Sequence, residues 1–261
     1  MNWGLKIESL LNTVFFYLRR RLKLTRRHYQ ETPCRYLCDI TEKQRKRIEI
    51  INKKYAADFE MHLDLINALE NYHILDLLDQ MEQRIKTPLP QKARLVDIGS
   101  KNFYYARCLQ MFFKPDQLAG IELDAYKMYQ NFHTRLSYAQ HYILNLPQTQ
   151  YLAMDFLDFR GSTDIITLFL PFVVEYPLVK WTLPLSRFTP QQIFNHTFSI
   201  LTEGGYLIMT NQGEEEFILA RNHAQNSGFK LIQAFPLTQP LIERDIPVFV
   251  SVWQKGKPLH S

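Results

Sequence analysis

Two textures of apolar and polar positions divide the chain near residue 90. From Ile40 to Ile85, apolar residues recur at intervals of three and four, in ITEKQRKRIEIINKKY and MHLDLINALENYHILDLLDQMEQRI. No Pro or Gly interrupts them, so the spacing predicts helices, with Thr41 and Asp58 suited to start them. KTPLPQKA then stops the pattern with two prolines. This places a boundary between a helical N-terminal region, 1–90, and a second domain, 91–261.

Beyond residue 92 short apolar runs alternate with longer amphipathic stretches. Strands are predicted at 94–99, 117–123, 150–154, 164–170, 204–210, 229–235 and 246–254. Helices are predicted at about 103–113, from Ala125 onward, at 189–201 behind Thr189 and Pro190, and at 214–228. Glu203-Gly204-Gly205 reads as the turn into the fifth strand. The alternation predicts an α/β fold, a doubly wound, mostly parallel seven-stranded sheet preceded by an α-helical N-terminal region. No helical pattern separates the last two strands, which implies an antiparallel C-terminal strand.

The first segment, MNWGLKIESLLNTVFFYLRRRLKL, has Trp3, Leu5, Ile7, Leu10, Leu11, Val14, Phe15 and Leu18 largely at helical spacing. Lys6, Glu8, Asn12 and Thr13 interrupt it, so no apolar run approaches the ~20 residues of a membrane span. Its arginines follow the apolar residues instead of preceding them, which excludes a secretory signal. One reading packs the apolar face on the domain and leaves the arginines in water. The other places residues 1–27 at a membrane surface as a peripheral contact, with Trp3, Phe15 and Phe16 in the interface and arginines on acidic lipid.

Charge sharpens that choice. The net charge of +5 is uneven: residues 1–54 hold fourteen Lys/Arg and five Asp/Glu, or +9, leaving −4 for the remainder. No nucleic-acid reading motif accompanies the basic segment, so a nucleic-acid partner is not expected. Three cysteines are too few for a disulfide framework and point to a reducing, cytoplasmic compartment. The CxxxC spacing of Cys34 and Cys38 lacks a third ligand, and no metal is expected.

In an open α/β sheet, ligands bind beyond the carboxyl ends of the strands. The first strand ends in Asp97, Gly99, Ser100, Lys101 and Asn102, and the second in Glu122 and Asp124. Asp97 and Glu122 are 25 residues apart, near the ~20 expected between a nucleotide turn and the acid that takes ribose hydroxyls. A pyrophosphate needs bare backbone from three glycines, and only Gly99 is present, which argues against NAD. S-adenosylmethionine carries no phosphate. Asp97, Gly99 and Glu122 can supply its turn and its ribose carboxylate. Asn102 tolerates a left-handed conformation in this turn better than most non-glycine residues. Asp97 can instead simply hold the turn. Lys101, if it faces the site, can pair with the methionyl carboxylate.

The ordered segments LVDIGSKNF, GIELDAY, MDFLDF, DIITLFLPFV, LTEGGYLIMTN and SGFKLIQAF resemble the class I, Rossmann-like S-adenosylmethionine-dependent methyltransferases over residues 92–255. The resemblance implies that Glu122 is the ribose-binding acid, Asp155 the acid flanking adenine, and Phe156 a wall of that slot. DIGSKNF keeps the acid and first glycine of the family motif but has Lys101 and Phe103 at the later glycines. The implied activity is methyl transfer from S-adenosylmethionine to a small or hydrophobic, lipid-like acceptor, with the helical region as a lid. Leu170-Pro171-Phe172-Val173 lacks the polar run associated with methylation of adenine or amide nitrogen. Glu175, Tyr176, Asn211 and Gln212 are the polar residues expected near the mouth, and no base is assigned. The alternative is a non-catalytic adaptor whose basic N-terminus contacts a membrane or an acidic partner.

Overall fold

The computed structural model describes residues 3–26 and 29–256. All seven strands form: β1 (Arg94–Ile98), β2 (Gln117–Ile121), β3 (Thr149–Leu152), β4 (Thr163–Phe169), β5 (Leu201–Gln212), β6 (Phe229–Pro236) and β7 (Val248–Lys255). They make one sheet in the order β3-β2-β1-β4-β5-β7-β6. Pairings from β3 through β5 are parallel, and β7 runs antiparallel to both neighbours. The chain moves from β1 outward to β3, then returns to place β4 on the other side of β1. That reversal opens a crevice at the carboxyl ends of β1 and β4.

Successive residues of a strand face opposite sides of the sheet, and both sides are apolar here. Leu95, Leu118, Ile165 and Ile208 enter one core, while Val96, Ala119, Ile166 and Leu207 enter the other. The first core is covered by α2 (Glu42–Tyr55), α3 (Leu65–Glu82), α4 (Ala106–Phe113) and α5 (Arg135–Ile143). The second is covered by α7 (Pro190–Ile200) and α8 (Gly213–Asn226). Short helix α6 (Glu175–Lys180) follows β4 and forms a third, small cluster with α1 (Trp3–Leu22). Leu75, Leu78 and Met81 of α3 share one core with β1 and with Ile48 and Ile51 of α2, so these two helices are continuous with the sheet.

Thr41 caps α2 through a reciprocal capping box with Gln44. Asp58, expected to start the next helix, leads only a short 3-10 turn. Asp64 caps α3, its side chain accepting from the Asn67 N–H. The helix expected from Ala125 begins ten residues later, at Arg135, behind the Thr134 cap. The intervening backbone closes on itself through Leu136 N–H to the Ala125 carbonyl and a bridge between Met128 and Thr134. Gly204 and Gly205 lie within β5, where the register with β4 shifts, and do not form a turn ahead of it. A Cβ on Gly205 would sit 2.9 Å from the Asp164 carbonyl oxygen, so only glycine fits there.

The packing of α1 reverses the first reading of its sequence. Its buried residues are Ser9, Asn12 and Phe16, two of them polar. Trp3, Ile7, Leu10, Leu11, Val14, Phe15 and Leu18 face outward. Asn12 Nδ2 donates to the carbonyls of Val179 (2.9 Å) and Leu183 (3.3 Å), and Ser9 Oγ accepts from Leu185 N–H. Of the segment 1–27 assigned to a membrane contact, residues 1, 2 and 27 lie outside the described residues. Among the described residues, no helix is long and apolar enough to cross a membrane.

Candidate cofactor and acceptor site

A cavity of about 720 Å³ lies at the carboxyl ends of the parallel strands. It is bounded by α3, by the turn after β1, by the tip of β2 and by the segment from Leu168 through Phe194. Five of the eight expected cofactor residues line it: Gly99, Lys101, Glu122, Asp155 and Phe156. Asp97, Ser100 and Asn102 do not.

Asp97 is wholly buried. Its Oδ2 accepts from the Tyr105 hydroxyl and its Oδ1 from the Thr167 hydroxyl, both at 2.7 Å. The carboxylate is spent on fastening β1 to β4 and to the start of α4. Burial pushes its carboxyl up to about 6, against the hydroxyls of Thr167 and Tyr105, which favour the charged form. Ser100 is buried with its hydroxyl donating to the Asp97 carbonyl. Asn102 is buried too, and it does not supply the left-handed residue expected of it.

That conformation falls instead on Gly99 (φ 75°), Lys101 (φ 54°) and Phe103 (φ 56°). These are the three positions at which the motif of the resembled methyltransferases carries glycine, and here two of them place a side chain on a left-handed backbone. Each non-glycine costs ~1–2 kcal/mol. Phe103 is recovered by packing: its ring is fully buried and occupies the space over Gly120 of β2, where a Cβ would approach within 2.7 Å. An isolated glycine in a strand signals such close approach, and Gly120 is the sequence signal that this arrangement leaves. At Gly99 a Cβ would meet nothing within 4 Å, so its bare backbone is open for a ligand.

Glu122 stands one residue beyond the last β2 pairing, and its carboxylate reaches the turn. It accepts from Lys101 N–H (2.8 Å), Asp124 N–H (2.7 Å) and Arg135 Nη1 (3.0 Å). The pair with Arg135 is buried on both sides. Arg135 was missed in the sequence, because it meets Glu122 only through the late start of α5. Oε1 takes two of the three donors, which leaves Oε2 one acceptor direction for a ligand hydroxyl.

Three ion pairs line the cavity: Glu122 with Arg135, Asp155 with Arg187 (3.1 Å) and Glu70 with Arg244 (2.9 Å). Asp155 also accepts from Leu157 N–H and so caps the turn that carries Phe156. The Lys101 ammonium lies 5.5 Å from the Trp181 ring centroid and 5.9 Å from that of Tyr104. Burial, with Arg135 nearby, holds it below the usual lysine range. His73 of α3 lines the same space, and burial lowers it to about 4, so it is neutral at pH 7. Its Nδ1 accepts from Ile242 N–H at 3.4 Å, which leaves the ring proton on Nε2. Leu170, Pro171, Phe172, Leu178, Trp181 and Leu183 give the cavity an apolar wall. Of the four polar residues expected at the mouth, Gln212 lines it, and Glu175, Tyr176 and Asn211 do not. Among the described residues no cluster of His, Cys, Asp and Glu is arranged to hold a metal.

Neither a protein-family model nor a curated protein sequence matches the chain. Solved structures do. A methyltransferase from Pyrococcus furiosus is 15% identical over 83% of this chain and 100% of its own, with a TM-score of 0.52. The (4+2)-cyclase SpnF is 11% identical over 70% of this chain and 81% of its own, also at 0.52. TrmN from Thermus thermophilus is 17% identical over 70% of this chain at 0.48, and the alignment spans about half of it, 48%. Strand order, the antiparallel β7 and the likeness to the Pyrococcus furiosus methyltransferase define a class I, Rossmann-like methyltransferase fold. At these identities the likeness is one of fold, and the cyclase shows that the fold alone does not dictate the reaction.

Proposed function

We propose that the protein is an S-adenosylmethionine-dependent methyltransferase acting on a small or hydrophobic acceptor. The observation that carries this reading is the open backbone of Gly99 beside the Glu122 carboxylate, at the edge of a cavity large enough for a cofactor and an acceptor. Glu122 would hold a ribose hydroxyl through Oε2, Asp155 and Phe156 the adenine, and Lys101 the methionyl carboxylate. Bound there, the cofactor supplies a methyl group on a sulfonium sulfur. Transfer by in-line displacement depends mainly on positioning. The apolar wall from Leu170 to Leu183 suits an apolar acceptor and excludes water. His73, protonated on Nε2, offers the cavity a hydrogen-bond donor and not a base. No observation favours the non-catalytic adaptor.

Calorimetric titration with S-adenosylmethionine and its demethylated product tests the reading. Glu122→Gln should weaken binding by about 1.5–3 kcal/mol, roughly ten- to a hundredfold, as for a charged hydrogen bond lost. Absence of heat from the unmodified protein at millimolar ligand would remove the proposal. Labelled methyl donor added to metabolite and lipid extracts then identifies the acceptor.

A further inference from the structure

α1 turns its polar face toward the protein and its apolar face toward solvent. At 100° per residue, Trp3, Ile7, Leu10, Leu11, Val14, Tyr17 and Leu18 fall within one broad stripe, opposite Ser9, Asn12 and Phe16. Trp3 is 79% exposed, Leu10 68% and Val14 61%. Leu22 and Leu24 extend the stripe, and Phe132, whose carbonyl accepts from Arg26 N–H, adds a further exposed ring at that end. A contiguous apolar surface of this extent marks a contact made with something else.

The helix is held rigidly in this attitude. Arg19 grips Asp124 through two hydrogen bonds (2.5 and 2.7 Å), Arg20 donates to the Leu123 carbonyl, and Asn12 and Ser9 tie the polar face to the α6 region. The stripe is therefore presented, not left over from loose packing.

Charge selects the occupant. Residues 3–26 carry Lys6, Arg19, Arg20, Arg21, Lys23 and Arg26 against Glu8 alone. Glu8 is already paired with Lys180, and Arg19 with Asp124. Lys6, Arg21, Lys23 and Arg26 are exposed beside or beyond the stripe. Two copies meeting through this face would bring like charges together with no acid to answer them. An anionic lipid surface answers both the apolar stripe and the cations, with Trp3 and Tyr17 suited to the headgroup level.

We infer that α1 docks the protein on an anionic bilayer surface, lying parallel to it with the Trp3–Leu18 stripe in the acyl boundary. The inference rests on α1 alone and stands or falls apart from the methyltransferase reading. It carries a consequence for that reading: α1 rests on α6, whose Leu178 lines the cavity, so docking holds the mouth close to the membrane.

The full-length protein is mixed with phosphatidylcholine vesicles, with and without phosphatidylglycerol. Binding is followed by sedimentation and by the blue shift of tryptophan fluorescence, with Trp3→Phe identifying the reporter. The expected result is binding to the anionic vesicles only, weakening as salt is raised. The pair Leu10→Glu and Val14→Glu should reduce it at least about tenfold, and each of Arg21→Ala and Lys23→Ala roughly fivefold. Their thermal unfolding should match that of the unmodified protein, because these side chains are exposed. Equal sedimentation with both vesicle types, or none with either, overturns the inference. So does a dimer in light scattering that Leu10→Glu and Val14→Glu dissolve while vesicle binding is absent.

Discussion

Asp97 and Glu122 end neighbouring parallel strands, yet they do opposite work. Asp97 still lies inside the ladder, its backbone registered with Gly120 on one side and Thr167 on the other. Enclosed there, it serves the fold by taking two hydroxyls. Glu122 lies past the last pairing of β2, where the chain is free to turn, and its carboxylate meets the Lys101 backbone at the cavity edge. One residue beyond the end of a pairing separates an acid enclosed in the fold from one that lines the cavity. The two carboxylates are on the same end of the sheet, but only that of Glu122 lines the cavity. Lys101 lines the space between the turn and Trp181 without filling it.

The largest effect that sharpens this contrast is Glu122→Ala. It strands the buried Arg135 guanidinium, and unfolding by urea should show a loss of about 3–5 kcal/mol. A smaller loss would mean that Arg135 reaches water.

Asp97 should reveal itself through pH. Its folded carboxyl is raised to about 6 from the ordinary 3.8, so it binds a proton more tightly folded than unfolded. That contribution is complete below about pH 4 and is lost as pH rises through 6, amounting to roughly 3 kcal/mol. Asp97→Asn should flatten this dependence in denaturation series across that window, while staying within about 1 kcal/mol of the unmodified protein at pH 4. An unchanged pH profile would assign the titration to another group.

Next in size is Gly120→Ala, which forces a methyl against the Phe103 ring and should cost about 1–3 kcal/mol in thermal unfolding. Adding Phe103→Leu should recover part of that loss. If it does not, the ring is not the obstacle. The smallest effect is a gain: Lys101→Gly relieves a left-handed backbone and should add about 1 kcal/mol, while removing an ammonium from the cavity. Stabilisation accompanied by weaker S-adenosylmethionine binding would place Lys101 on the ligand side of the turn.

Much of the fold was legible because its strands are short apolar runs between amphipathic helices. Five residues of the cavity wall, Gly99, Lys101, Glu122, Asp155 and Phe156, were legible because they stand where such strands end. What escaped were partners brought from elsewhere. Arg135 depends on a helix that starts late, because residues 124–134 close on themselves before α5 begins. His73 and the Glu70–Arg244 pair enter the cavity from α3 and from the loop between β6 and β7, which are far apart in sequence. The strain of Phe103 at positive φ is borne by packing against Gly120 of the neighbouring strand, a partner 17 residues away that the local pattern does not reveal.

The amino-acid pattern by itself determined the alternation of elements, the two apolar faces of the sheet and the end at which the cavity opens, because these follow from period and strand direction. It also determined that α1 has one apolar stripe. Only the tertiary structure decided which side of α1 meets the protein and which acid faces the cavity. Periodicity records that a face is apolar, whereas its neighbour is chosen by hydrogen bonds such as those of Asn12 and Arg19 to groups more than a hundred residues away.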